Sequence, residues 1–187
     1  YTESVTVDGS RVLCTPGGSK GAVAALDKLT GKVIWQSKDF TDPAHYSSVV
    51  PAKINNTAQY VQRTEKSVVG LDAATGKLLW HTEFPYGRTA VIPTPIVRGN
   101  EVYVTAGYGA GCKMVRIEPG NKVTVVYENK VIKNHHGGVV LIGDHIYGHG
   151  DPAWVCQDFK TGEEVWSHRG FRKGAVERHG ELRRRRR

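Results

Sequence analysis

Three segments of the chain align without a gap: LDKLTGKVIW (26–35), LDAATGKLLW (71–80) and QDFKTGEEVW (157–166). Asp27, Asp72 and Asp158 each stand eight residues before Trp35, Trp80 and Trp166, with Thr-Gly at the same offset. A fixed period implies one supersecondary unit copied along the chain, and that constrains the fold more than any other feature. Trp35 and Trp80 are 45 residues apart and Trp80 and Trp166 are 86 apart, so a degenerate copy must lie between. VRIEPGNKVTVVY (115–127) supplies it, with Tyr127 in the Trp position.

Each copy reads as strand, tight turn, strand, because Gly at the turn tolerates positive φ. The aromatic closing the second strand is placed to pack between neighbouring units. Another pair of strands precedes each copy: SVTVDGSRVLC, SSVVPAKINNTAQYVQ, TPIVRGNEVYVT and GVVLIGDHIYGH are apolar runs around a polar turn. A unit of four antiparallel strands over roughly 40–45 residues has the dimensions of a propeller blade. The fold class expected is therefore all-β, with 22 Gly marking short strands and tight turns.

The pattern LDxxTGKxxW resembles the tryptophan-docking repeat of the PQQ-like β-propeller proteins, the quinoprotein alcohol dehydrogenase-like superfamily, over nearly the whole chain. Residues 1–182 form a single domain on this reading. Complete blades fall at about 2–40, 46–84, 88–130 and 134–168, with a partial fifth at 171–182 and a basic tail at 183–187. Relatives usually carry more blades, so the array reads as truncated, and a five-bladed ring is the expected closure. The resemblance also implies an extracytoplasmic location, although the chain starts at Tyr1 without a signal-peptide pattern.

In the family, PQQ sits in the channel and calcium is held by Glu, Asn and Asp beside a catalytic Asp. This chain has no adjacent cysteines and no such set, so PQQ is not expected. Cys14, Cys112 and Cys156 are too sparse for a disulfide framework or a zinc site and read as buried thiols. Net charge is +8, and Arg183 to Arg187 supply five of those charges. Nucleic acid is expected to bind only nonspecifically, through that run. No apolar run reaches the roughly 18 residues of a membrane helix.

Blade topology puts the short A–B and C–D turns on one face and the longer B–C and D–A loops on the other. The second face is rich in Tyr, His, Lys, Arg, Asn and Asp, the composition of a binding surface. The stretch NHHGG places Asn134, His135 and His136 at the start of the innermost strand of blade four. His149 and Asp151 share that face, while His145 lies across the ring. Because neighbours on a strand point oppositely, only one of His135 and His136 is expected to face the channel. A lactone or ester hydrolase is the reading drawn from this set, by architectural analogy to other propellers. His135, His136 and Asp151 would be catalytic, since His titrates near 6.5. Tyr46, Ser47, Arg88, Tyr108, Asn134 and His149 would bind a small-molecule substrate, and Asn134 and Asp151 would hold calcium. Arg63 is placed among the side chains reaching the rim. The alternative is a binding or scaffold protein that offers the same face to a protein partner.

Overall fold

The computed structural model describes residues 3–84, 90–170 and 174–176. Arg88, the fifth-blade segment beyond 176 and the basic run 183–187 lie outside the described residues. Blade one comprises β1 (Thr6–Asp8), β2 (Arg11–Cys14), β3 (Ala24–Asp27) and β4 (Val33–Gln36). Blade two comprises β5 (Val50–Ile54), β6 (Thr57–Arg63), β7 (Ser67–Asp72) and β8 (Leu78–Glu83). Blade three holds β9 (Ile96–Arg98), β10 (Glu101–Ala106), β11 (Gly111–Ile117) and β12 (Val123–Asn129). Blade four holds β13 (Val140–Ile142), β14 (His145–His149), β15 (Trp154–Asp158) and β16 (Glu164–His168). Every sheet is a four-stranded antiparallel meander in chain order, as the repeat implies. Among the described residues no helix is long and apolar enough to cross a membrane.

Two-residue turns join the first and second strands of each blade. Asn55 and Asn56 both take positive φ, the conformation that matches the right-handed twist of a hairpin. The repeated Asp shapes the other turn. Asp72 Oδ1 accepts from Ala74 N, Thr75 N and Thr75 Oγ1 at 3.1, 2.9 and 2.7 Å, and Asp27 makes the same three bonds to Leu29 and Thr30. Asp158 accepts from Lys160 N and Thr161 N. These bonds favour the carboxylate and hold all three acids below the usual Asp range.

The register slips once between the third and fourth strand of every blade: at Ala25/Leu26, Gly70/Leu71, Met114/Val115 and Cys156/Gln157. A bulge adds twist and re-aims the side chain beside it, and here the residue opposite is Trp35, Trp80, Tyr127 or Trp166. Trp35 seats on blade two, donating from Nε1 to Ala73 O at 3.2 Å, with its ring where a Cβ on Gly76 would stand. Tyr127 repeats the contact on blade four, from its hydroxyl to Phe159 O at 3.0 Å over Gly162. The degenerate copy therefore works as the complete ones do. Blade three has a short 3-10 turn (Pro119–Asn121) in place of Thr-Gly. Trp80 bonds Gln59 Oε1 at 2.7 Å, and Asn55 Nδ2 takes the Ile117 and Glu118 carbonyls at 3.0 Å each.

The core lies between blades. Leu13, Ala25 and Trp35 meet Tyr60, Val69 and Leu71 at the first junction. Val61, Val68 and Trp80 meet Val102, Val104 and Ile117 at the second. Tyr103 and Met114 meet Ile146, Val155 and Phe159 at the third. No cluster among the described residues joins blade four to blade one. The three cysteines are free thiols, with Cys112 and Cys156 buried.

Gly76→Ala and Gly99→Ala share the strain of positive φ, but only Gly76 sits beneath an aromatic ring. We expect Gly76→Ala to cost about 1–3 kcal/mol more than Gly99→Ala in equilibrium unfolding, the usual penalty of overpacking. Equal losses would mean that Trp35 does not depend on the glycine beneath it.

Candidate functional site

The ends of the second strands carry polar residues at matching register. Arg63, Thr105 and His149 stand opposite Val68, Cys112 and Trp154, and Thr15 follows Cys14 in blade one. All four are buried. They form a polar layer at the inner ends of the strands, just beneath the long loops, and Thr15 and Thr105 bond the following blade. Thr15 Oγ1 accepts from Gln62 Nε2 at 2.7 Å. Thr105 Oγ1 accepts from Asn134 N at 3.2 Å and lies 3.1 Å from Ile132 O. Arg63 does not reach the rim. Its guanidinium stacks 4.7 Å over Phe84 and donates to Ser67 O at 3.2 Å, and Nε and Nη2 have no hydrogen-bond partner. Burial brings its pKa down to about 9, against the opposing pull of Asp42.

This layer holds the segment leading into blade four. Asn134 is fully buried; its Nδ2 donates to His149 O at 3.4 Å, and its Oδ1 has no hydrogen-bond partner. His149 Nδ1 accepts the N–H of Asp151 at 3.2 Å, and its ring meets Trp154 edge-on at 5.5 Å. Asn134, His149 and Asp151 are thus linked through the backbone and ring of His149.

The histidine pair departs from expectation. Residues 132–139 are irregular and the strand starts only at Val140, after Gly137 and Gly138, both at φ +73°. Strand alternation therefore does not apply to His135 and His136. Their rings lie on the same side, 4.0 Å apart at 32°, rather than one in the channel and one in the sheet. Tyr108 packs on His135 at 4.2 Å from the adjacent loop of blade three. Gly107 permits the approach, since a Cβ there would stand 2.9 Å from that of His135. Tyr108, at φ +56°, is 60% exposed and caps the stack.

Tyr46 meets the segment leading into blade three, and Ser47 meets the layer between blades one and two. Tyr46 N donates to Val91 O at 3.1 Å, and Ser47 O accepts from Gln62 Nε2 at 2.9 Å. Ser47 is fully buried and its hydroxyl has no hydrogen-bond partner. The buried His45 accepts Val91 N through Nδ1 at 3.0 Å. A recess of about 360 Å³ is lined by Lys130, Lys133 and Arg169 together with Asp151 and Glu164. Among the described residues no group of three or more His, Cys, Asp or Glu side chains could hold a metal ion. Asn134 and Asp151 lack the Glu that completes the calcium ligand set of the PQQ proteins, so the described residues do not fit that cofactor pair.

The polar layer itself was missed in the sequence. Its signal was available: once the blades are aligned on their Asp and Trp, each second strand ends in one polar residue where the alternation calls for an apolar one.

A family model described as "Outer membrane protein assembly factor BamB" matches residues 2–168. A polyvinylalcohol dehydrogenase from a Pseudomonas species is 34% identical over 122 residues, 58% of this chain and 19% of that protein. Of solved structures, BamB from Moraxella catarrhalis aligns with a TM-score of 0.64 and 15% identity, over 90% of this chain and 51% of that one. The quinohemoprotein alcohol dehydrogenase from Comamonas testosteroni aligns with a TM-score of 0.64 and 15% identity, over 91% of this chain and 35% of that one. The two structures show the shared propeller fold, and this chain spans about half or less of each relative's length.

Burial pushes the proton affinity of His45 below its ordinary value near 6.5; Arg63 adds to the shift and Glu65 opposes it. The unfolded chain then binds the proton first. The contribution of His45 is complete above about pH 6.5 and is lost as pH falls toward the folded-state value. Unfolding measured from pH 7.5 to 5 should show this loss, and His45→Gln should flatten it. An unchanged pH slope in the variant would assign the acid sensitivity elsewhere.

Proposed function

We propose, for a chain that belongs to the PQQ-like repeat family described as outer membrane protein assembly factor BamB, a non-catalytic role: its long-loop face binds an extended polypeptide segment. The observation that carries this reading is the stack of Tyr108, His135 and His136 at the junction of blades three and four. An exposed aromatic held by packed neighbours gives contact area at little entropic cost, the property of a binding anchor. Three cations, Lys130, Lys133 and Arg169, outnumber the carboxylates of Asp151 and Glu164 around the recess beside them, which favours a segment with acidic side chains. The assembly factor among the structural neighbours supports a protein partner, and family membership supports an extracytoplasmic location.

The hydrolase expected from the polar loops has less to support it. A general base needs a free nitrogen aimed at substrate or water. His135 and His136, the bases of that reading, are packed on each other and beneath Tyr108, and Asn134 is locked under the layer. A dehydrogenase role rests on the polyvinylalcohol dehydrogenase similarity, and its cofactor ligands would have to come from outside the described residues.

Labelled acidic peptides carrying interspersed aromatics are the direct probe, read by fluorescence anisotropy. Tyr108→Ala and His135→Ala should each weaken binding about tenfold, a loss of roughly 1.4 kcal/mol. Lys133→Glu should weaken it further and flatten its salt dependence, and Lys53→Ala, at the far end of blade two, should leave it unchanged. Absence of peptide binding, together with lactone, ester or dye-linked alcohol turnover that His135→Ala abolishes, would overturn the binding role.

A further inference from the structure

The second junction carries a charge where the other two carry a hydroxyl. At the first and third junctions the layer residue is a threonine whose oxygen takes a bond from the following blade. Gln62 Nε2 reaches Thr15 Oγ1 at 2.7 Å, and Asn134 N reaches Thr105 Oγ1 at 3.2 Å. At the second junction the same register holds Arg63, opposite Val68. Arg63 shares a face of β6 with Val61, which packs against Val102 and Val104 of blade three. A guanidinium with 0% exposure therefore stands inside the joint between blades two and three.

The fold answers that cation poorly. Nη1 donates to the neutral Ser67 carbonyl at 3.2 Å, and the guanidinium lies 4.7 Å over the Phe84 ring. Nε and Nη2 have no hydrogen-bond partner. These two nitrogens make up the side-on edge of the guanidinium, the fork with which arginine grips an anion through two parallel N–H bonds. Among the described residues no carboxylate forms an ion pair with Arg63. Asp42 is near enough to act on it electrostatically, but its Oδ2 accepts from Thr64 Oγ1 at 2.8 Å. The aromatic face supplies a quadrupole, which is weaker than a counter-charge. Burial lowers the pKa of Arg63 to about 9, the direction expected of a cation short of negative charge.

We propose that the Nε and Nη2 fork of Arg63 is the binding site of a small monovalent anion of halide size, with chloride as its physiological ligand. The charge of the ligand follows from the single unbalanced cation. Water would satisfy the two N–H groups and leave the charge uncompensated, and an unpaired buried ion is far costlier than an unpaired dipole. The size follows from enclosure: both nitrogens are shut off from solvent, so a bulky organic anion has no way to reach them. The anion completes at the second junction a polar joint that Thr15 and Thr105 make with hydrogen bonds at the first and third. The Asp42 carboxylate repels it and keeps its affinity modest.

Equilibrium unfolding of the 187-residue chain tests this. Ionic strength is held constant while sodium chloride replaces sodium gluconate, whose anion is too large for the fork. The folding equilibrium constant should rise about tenfold for each tenfold increase in chloride above half-saturation, the linkage expected of one site, and bromide should act alike. Arg63→Met removes the charge and keeps an apolar side chain in the joint; it should lose the halide response. Asp42→Asn should move half-saturation to lower chloride, because a repelling charge is gone. The cationic run at the end of the chain is the same in every variant, so its nonspecific affinity for anions cancels. Crystals of the parent in sodium bromide should show an anomalous scattering peak beside Nε and Nη2, a measurement that decides the matter even if Arg63→Met does not fold. Parent stability indifferent to halide, a halide response that survives Arg63→Met, or bromide crystals with no peak at the fork would each overturn the proposal. A halide response abolished by Asp42→Asn would overturn it too.

Discussion

The contact on which the rest depends is an aromatic ring laid on a glycine of the next blade. A four-stranded antiparallel sheet has two faces and no means of burying either alone. Here each sheet buries its faces against its neighbours, and the cores are the spaces between blades. The Trp–Gly contact sets the spacing: the ring sits where a Cβ would be, and a hydrogen bond to a turn carbonyl fixes its direction. Apolar burial supplies the driving force and is indifferent to register; the hydrogen bond and the missing Cβ provide the register. Blade three, without a Thr-Gly turn, keeps the spacing by a different route, through Asn55 of blade two and the Ile117 and Glu118 carbonyls.

The candidate site inherits its geometry from those junctions. Thr105 ends a strand of blade three and holds the backbone of Asn134 ahead of blade four. Gly107, two residues on, gives His135 its room, and Tyr108 closes over it. The site is therefore a joint between blades and belongs to neither alone. A substitution that shifted the third junction would move the stack without touching it. Arg63 illustrates the same layer under a heavier demand, a buried guanidinium with two unpartnered nitrogens whose burial depresses its pKa.

Much of the fold was legible in particular residues. The Asp–Thr–Gly–Trp spacing marked the blades, located the degenerate copy at Tyr127, and separated the long-loop face from the short-turn face. The same repeat separates His145, on a short turn, from Asn134, His149 and Asp151 on the long-loop side. The orientation of His135 and His136 was not legible, because it depends on where a strand begins. Two consecutive glycines at positive φ delay that start to Val140. The burial of Arg63 was equally hidden, since a charged residue beside a loop reads as exposed until Phe84 and the next blade cover it.

The sequence by itself determined what is periodic and local: the blade unit, the Asp-capped turns, the glycines under the rings and the aromatic at the end of every fourth strand. These follow from hydrogen bonds and sterics within a few residues of one another. Only the tertiary structure decided what arises between blades. It set the polar layer of Thr15, Arg63, Thr105 and His149 and the stack of Tyr108 on His135 and His136. Each of these joins residues from different repeats, and their meeting depends on the angle at which one sheet packs on the next, which no local spacing records.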